Sequence, residues 1–128
     1  MNPSRFSEPA RVLLRVVAGA LILQHGGQKL FGWFGGTPVT LMSQMGLAGV
    51  IEFFGGIAVA IGVLTRPAAF LLSGELAVAY FQAHQPKGAL PIQNKGELAV
   101  LYSFVFLFFA AWGAGGFSID GLRKQPRQ

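Results

Sequence analysis

The chain has 128 residues, 52% of them hydrophobic and 12% charged, with a formal net charge of +5 and no cysteine. Soluble domains carry about a quarter of their residues as charge, so this composition and a mean hydropathy of +0.52 exclude an ordinary soluble domain and make a lipid bilayer the expected solvent. The absence of cysteine excludes a disulfide, an iron–sulfur cluster, a c-type haem and a dithiol relay, and the basic residues read as membrane topology and not as a nucleic-acid surface.

In chain order, residues 1–10 form an N-terminal tail. A first apolar span follows from Arg11 to Leu30, and it is read as uncleaved because its small-residue "AGA" lies inside the apolar run and not after it. The joint "FGWFGGTPVTLMSQ" leads to a second span from Met45 to Leu64. That span is rich in glycine and alanine, with the pairs Gly56 and Ala60, and Ala58 and Gly62, at the spacing that lets transmembrane helices approach closely. The turn "LTRPAA" is so short that the third span, Pro67 to Ala83, must run antiparallel beside the second, with Pro67 suited to a first helical turn. After a longer joint over 84–96, a fourth span runs from Glu97 to Gly113, and residues 118–128 form a basic tail. The expected fold is all-α, a polytopic membrane four-helix bundle over 11–117.

Orientation follows from the basic residues. Arg5, Arg11, Arg66, Arg123, Lys124 and Arg127 fall on one side, and Lys29, Lys87 and Lys95 on the other. The positive-inside bias therefore puts both termini and the "TRP" turn in the cytoplasm of a multi-pass protein of the bacterial inner (plasma) membrane, with the two long joints facing outward.

Polar residues inside apolar spans carry the functional information, because lipid does not solvate them. Arg15 and Glu75 are expected at similar depth, each about 13–15 Å from the histidine ending its span, and are read as an intramembrane ion pair, with a step in proton movement as the functional alternative. At the outer ends, His25, Lys29, Glu52, His84 and Glu97 are expected to converge on one polar cup beneath an aromatic lid that includes Trp33 and Tyr80. Glu52, flanked by "GVI" and "FFGG", needs a cation, for which His25 and Lys29 are the natural candidates; it is either a rivet between helices or a proton-handling group. Glu97 reads more simply as a carboxylate at its own helix N-terminus. Glu52 and His25 are the candidate catalytic residues. No metal site is expected, and a bis-histidine haem between His25 and His84 is disfavoured with only two histidines in the chain.

The runs "LQHGGQKLFGWFGG", "IEFFGGIAVAIGVLTRPAA" and "AYFQAHQPKGALPIQNKGELA", followed by an aromatic last helix, resemble the DoxX family of small four-helix bacterial membrane proteins from about residue 10 to 120. The matching positions are His25, Gly26, Lys29, Glu52, Gly55, Gly56, Arg66, Lys87 and Glu97. The resemblance implies an association with thiosulfate-oxidising, quinone-reducing or oxidative-stress systems, and it assigns no catalytic role to these residues. The leading reading is therefore a redox-associated membrane protein whose outer cup binds a quinone or similar amphipathic molecule. The alternatives are a non-catalytic subunit that recruits or stabilises a redox-enzyme partner, with homo-oligomerisation open, and a small-solute or proton transporter.

Overall fold

The computed structural model describes residues 4–123, so Lys124 and Arg127, counted above for topology, lie outside the described residues. Among the described residues every regular element is helical. The elements are α1 (Ser4–Phe31), α2 (Gln44–Ile61), α3 (Thr65–Ala79), α4 (Pro91–Asn94), α5 (Glu97–Trp112) and α6 (Ile119–Arg123). The last turn of α3 continues as a π-turn over Tyr80–His84.

The helix ends have local causes. Ser43 caps α2, its hydroxyl accepting the Gly46 N–H at 3.0 Å. Gly62, in the left-handed region at φ 76°, stops α2 earlier than the expected Leu64, with the Val63 N–H returning to the Ala58 carbonyl at 2.8 Å. Gly113, at φ 88°, ends α5. At the other extreme α1 starts well before Arg11: the Glu8 carboxylate accepts the Gly116 N–H at 3.0 Å and the Arg11 guanidinium lies 5.0 Å from the Trp112 ring, so the N-terminal segment is docked as helix against the end of α5 and the chain after it.

Packing runs as a series. α1 lies against α2, α2 against α3 and α3 against α5, while α1 and α5 scarcely meet. The α1/α2 seam is made of backbone. A Cβ on Gly19 would stand 2.6 Å from the Ala60 nitrogen, a Cβ on Gly56 would stand 2.8 Å from the Gly19 carbonyl, and a Cβ on Gly26 would fall on the Phe53 backbone. The α3/α5 seam is closed by two serines that each donate to the other's carbonyl, Ser73 to Ser103 at 2.8 Å and Ser103 to Ser73 at 2.9 Å. Leu72, Leu76, Phe106 and Phe109 fill the space around them.

Length and hydropathy separate the helices. Among the described residues, α2 alone is long and apolar enough to cross a membrane by those criteria, with a mean hydropathy of 1.7. α1 is long but carries Arg5, Glu8, Arg11 and Arg15; α5 is apolar but has 16 residues; α3 reaches a spanning length only with its π-turn. Many large apolar side chains point outward, among them Leu13, Val17 and Leu21 on α1 and Leu101, Phe104 and Leu107 on α5.

Candidate functional site

The α1/α2 seam determines which polar groups meet. Arg15, Gly19, Ile22, Gly26 and Lys29 follow the alternating four-and-three spacing of one helix face, and that face lies on α2. Position 26 takes the seam because a glycine fits where a side chain cannot. His25 is thereby turned away by about 100° and rests edge-on against Tyr102 of α5, ring centroids 6.4 Å apart. It makes no pair with Glu52.

Lys29 does. Its Nζ donates to Glu52 Oε1 at 2.6 Å, in a pair whose carboxylate side chain is 3% exposed. Gly49, one turn before Glu52, lets the Lys29 stem lie close over α2, where an added Cβ would stand 3.0 Å from Lys29 Cβ. Trp33 sits with its indole on Gly27 and packs with Phe31 and Phe53 at centroid distances of 5.2 and 5.6 Å.

Glu75 joins this pair and not Arg15. Its carboxyl lies beside the Glu52 carboxyl, and Lys29 is near enough to act on it electrostatically. No N–H or O–H donor of another residue reaches its buried Oε1. Lys29, Glu52 and Glu75 thus form a cluster of one cation and two carboxyls, whose formal charges cancel when one carboxyl holds a proton.

The expected Arg15–Glu75 ion pair is not formed. Arg15 is 2% exposed, and its guanidinium donates to the carbonyls of Ala114, Ala60 (3.3 Å) and Phe117 (3.0 Å) at the opposite end of the helices. The register explains the difference: Arg15 lies level with Gly62 in the α2–α3 turn, whereas Glu75 lies about eleven residues, roughly 16 Å, further along α3.

His84, Tyr80 and Glu97 stand apart from the cluster as well. His84 lies nine residues beyond Glu75, in the π-turn, stacked on Tyr80 with its Nδ1 3.2 Å from the Asn94 carbonyl. Asn94, 1% exposed, is the centre of this second polar knot: its amide donates to Tyr80 Oη and to the Gly88 carbonyl, each at 3.0 Å, and its Oδ1 accepts the Gly96 N–H at 2.8 Å. Glu97 is exposed on the first turn of α5. His25 and His84 are therefore on different levels, and the single expected cup divides into a Lys29–Glu52–Glu75 cluster and a separate Tyr80–His84–Asn94 knot. Composition alone marks Asn94 as an ordinary headgroup-facing residue; its burial is a tertiary fact. Glu75 had a usable signal, since it and Glu52 lie equally far along the chain from the Val63–Leu64 turn, which sets them opposite each other in an antiparallel hairpin.

Beside Glu75 an apolar cleft of about 480 Å³ opens between α2 and α3. Its walls are Ala48, Ile51, Phe70, Leu71, Gly74 and Val78, and Glu75 is its charged residue. Gln44 and Gln82 hydrogen-bond across its far end.

At the other end of the molecule α6 grips the α2–α3 turn. The Asp120 N–H donates to the Gly62 carbonyl at 2.7 Å, and its carboxylate accepts the N–H groups of Leu64 at 2.9 Å and Thr65 at 3.0 Å, holding Leu64 in the left-handed region at φ 48°. Burial by itself would raise the Asp120 carboxyl; the Thr65 and Leu64 amides and the Arg123 charge outweigh it and hold the carboxyl below its ordinary value.

Apolar helices joined through a buried lysine–carboxyl cluster at one end and a buried arginine at the other define a helical protein of the membrane class. The chain belongs to the DoxX family, a family of membrane proteins whose sequence profile matches residues 10–85. It is also 43% identical over 114 residues, 84% of this chain and 85% of the relative, to an uncharacterised protein of Haemophilus influenzae. No solved structure matches it significantly.

Proposed function

We propose that this DoxX-family protein crosses the bacterial plasma membrane four times, with both termini on the cytoplasmic side, and that its Lys29–Glu52–Glu75 cluster binds the polar head of a quinone or similar amphipathic redox molecule. α1, α2, α3 with its π-turn, and α5 are the spans, and the outward apolar side chains are their lipid face. The bias of Arg5, Arg11, Arg66 and Arg123 to the end opposite Lys29 supports the orientation.

The observation that carries the ligand reading is the 2.6 Å Lys29–Glu52 pair continued by Glu75. A purely structural rivet needs one cation and one anion. The second carboxyl adds a proton that can be offered to an oxygen acceptor, while Lys29 stabilises the carboxylate behind it. Quinone carbonyls are acceptors of that kind, and they are delivered from the lipid phase in which the cluster lies.

The test is equilibrium binding of decylubiquinone to the purified full-length protein in lipid nanodiscs. Glu52→Gln, which keeps the shape and removes the anion that Lys29 holds, is expected to weaken binding by at least tenfold. Equal affinity in wild type and Glu52→Gln, with both variants folded, would remove the cluster from ligand binding.

A further inference from the structure

Resting on that reading, we infer that the ligand enters sideways from the bilayer through the α2/α3 cleft, with its head on Glu75, its tail along Ile51, Phe70 and Leu71, and Gly74 as the residue that keeps the channel open. The occupant is a flat oxygen-bearing ring on an isoprenoid or alkyl tail.

Three observations converge on this. The cleft of about 480 Å³ falls in the size range of small-molecule sites, and its walls are apolar except near Glu75 and at the Gln44 and Gln82 amides. Glu75 lines the cleft while its carboxyl leans on Glu52, and its buried Oε1 receives no N–H or O–H donor from another residue. An oxygen acceptor arriving beside Glu75 would accept a hydrogen bond from its protonated carboxyl, a partner that the protein itself does not supply at Oε1. The third observation is Gly74. The glycines of the α1/α2 seam have backbone pressed against them, but a Cβ built on Gly74 has nothing within 4 Å, and Gly74 is exposed in the cleft wall. A glycine inside a helix costs about 1 kcal/mol relative to alanine, and here no neighbouring helix needs the space. The space is left to a ligand.

Phe70 and Val78, one turn to either side of Gly74, carry their side chains to the outside, 65% and 49% exposed, so the cleft faces the lipid phase in the orientation proposed above. A tail entering along α3 would run over the gap at Gly74 between these two side chains. An anionic or bulky polar solute finds no second charged residue in the lining to meet it.

The experiment compares decylubiquinone binding by the full-length wild type, Gly74→Leu and Gly74→Ala in nanodiscs, with melting temperature as the control for folding. Gly74→Leu is expected to fill the channel and lower affinity at least tenfold. Gly74→Ala is expected to lower it two- to threefold while raising the melting temperature. A photoactivatable azidoquinone is expected to mark α2 and α3 residues that line the cleft. If wild type binds the quinone and Gly74→Leu binds it equally, or if the mark falls only on α1 or α5, the cleft is overturned and the cluster's role stands. If wild type binds no quinone, both readings fail. Equal displacement of the label by an alkyl phosphocholine of the same chain length would identify a lipid acyl chain as the occupant and also overturn the inference.

Discussion

Arg15 and Lys29 lie on one face of α1, about four turns apart, and both are largely withdrawn from solvent, yet their charges are accommodated by different means. Arg15 is surrounded by backbone: the carbonyls of Ala60, Ala114 and Phe117 receive its guanidinium, and they come from α2 and the segment after α5. Those partners neither titrate nor leave, so Arg15 joins three stretches of chain permanently. Lys29 meets a carboxylate that touches a second carboxyl, and that group lines an open cleft. In the function proposed above, the partners that can exchange a proton make the site and those that cannot belong to the scaffold. One helix carries both arrangements at its two ends.

The largest effect that sharpens this contrast is expected from Arg15→Met. It leaves three carbonyls without their donor and unties α2 from the chain after α5, at a cost of about 3–5 kcal/mol measured by unfolding in detergent. A loss under about 1 kcal/mol would mean that the two cations do not differ in kind. Lys29→Met comes next, with a loss of about 2–3 kcal/mol from the stranded Glu52 carboxylate. Adding Glu52→Gln to that variant should restore more than half of the loss, because the buried charge goes with it; strict additivity of the two single changes would show the pair uncoupled.

The smallest effect concerns the Asp120 clasp, which lies at the scaffold end. Asp120→Asn should cost about 1 kcal/mol at neutral pH, the usual worth of a carboxylate that accepts helix N-terminal amides. The sign of its pH dependence follows from a folded-state value below the unfolded one: the contribution is complete above about pH 4, the ordinary carboxylate value, and is lost as pH falls through the lower folded-state value. Melting curves taken between pH 6 and pH 3 should therefore converge for wild type and Asp120→Asn at the acid end. Parallel curves across that range would remove Asp120 from the clasp.

The comparison also shows where sequence reasoning reached and where it stopped. The chain alone shows that Glu52, a charge in an apolar span, needs a cation and narrows the candidates to His25 and Lys29. The choice between His25 and Gly26 for the seam cannot be made that way: the two are adjacent on the helix, and the tighter contact with Phe53 decides it. The Arg15–Glu75 expectation measured depth from the histidines, and it missed because α3 and its π-turn run on past the level at which α1 ends. Counting from the α2–α3 turn sets Glu75 opposite Glu52.

Composition and periodicity by themselves determined that the chain is helical and apolar, roughly where its long helices lie, and that charges within them must be neutralised. These follow from local chemistry, because burying apolar surface and satisfying the backbone are requirements on each segment separately. The partner of each buried charge, the division of the polar residues into a cluster and a knot, the grip of α6 on the α2–α3 turn and the open space at Gly74 were decided only in the tertiary structure. Their physical cause is the register between helices, which is fixed by backbone contacts at a few glycines that a single strand of sequence does not display.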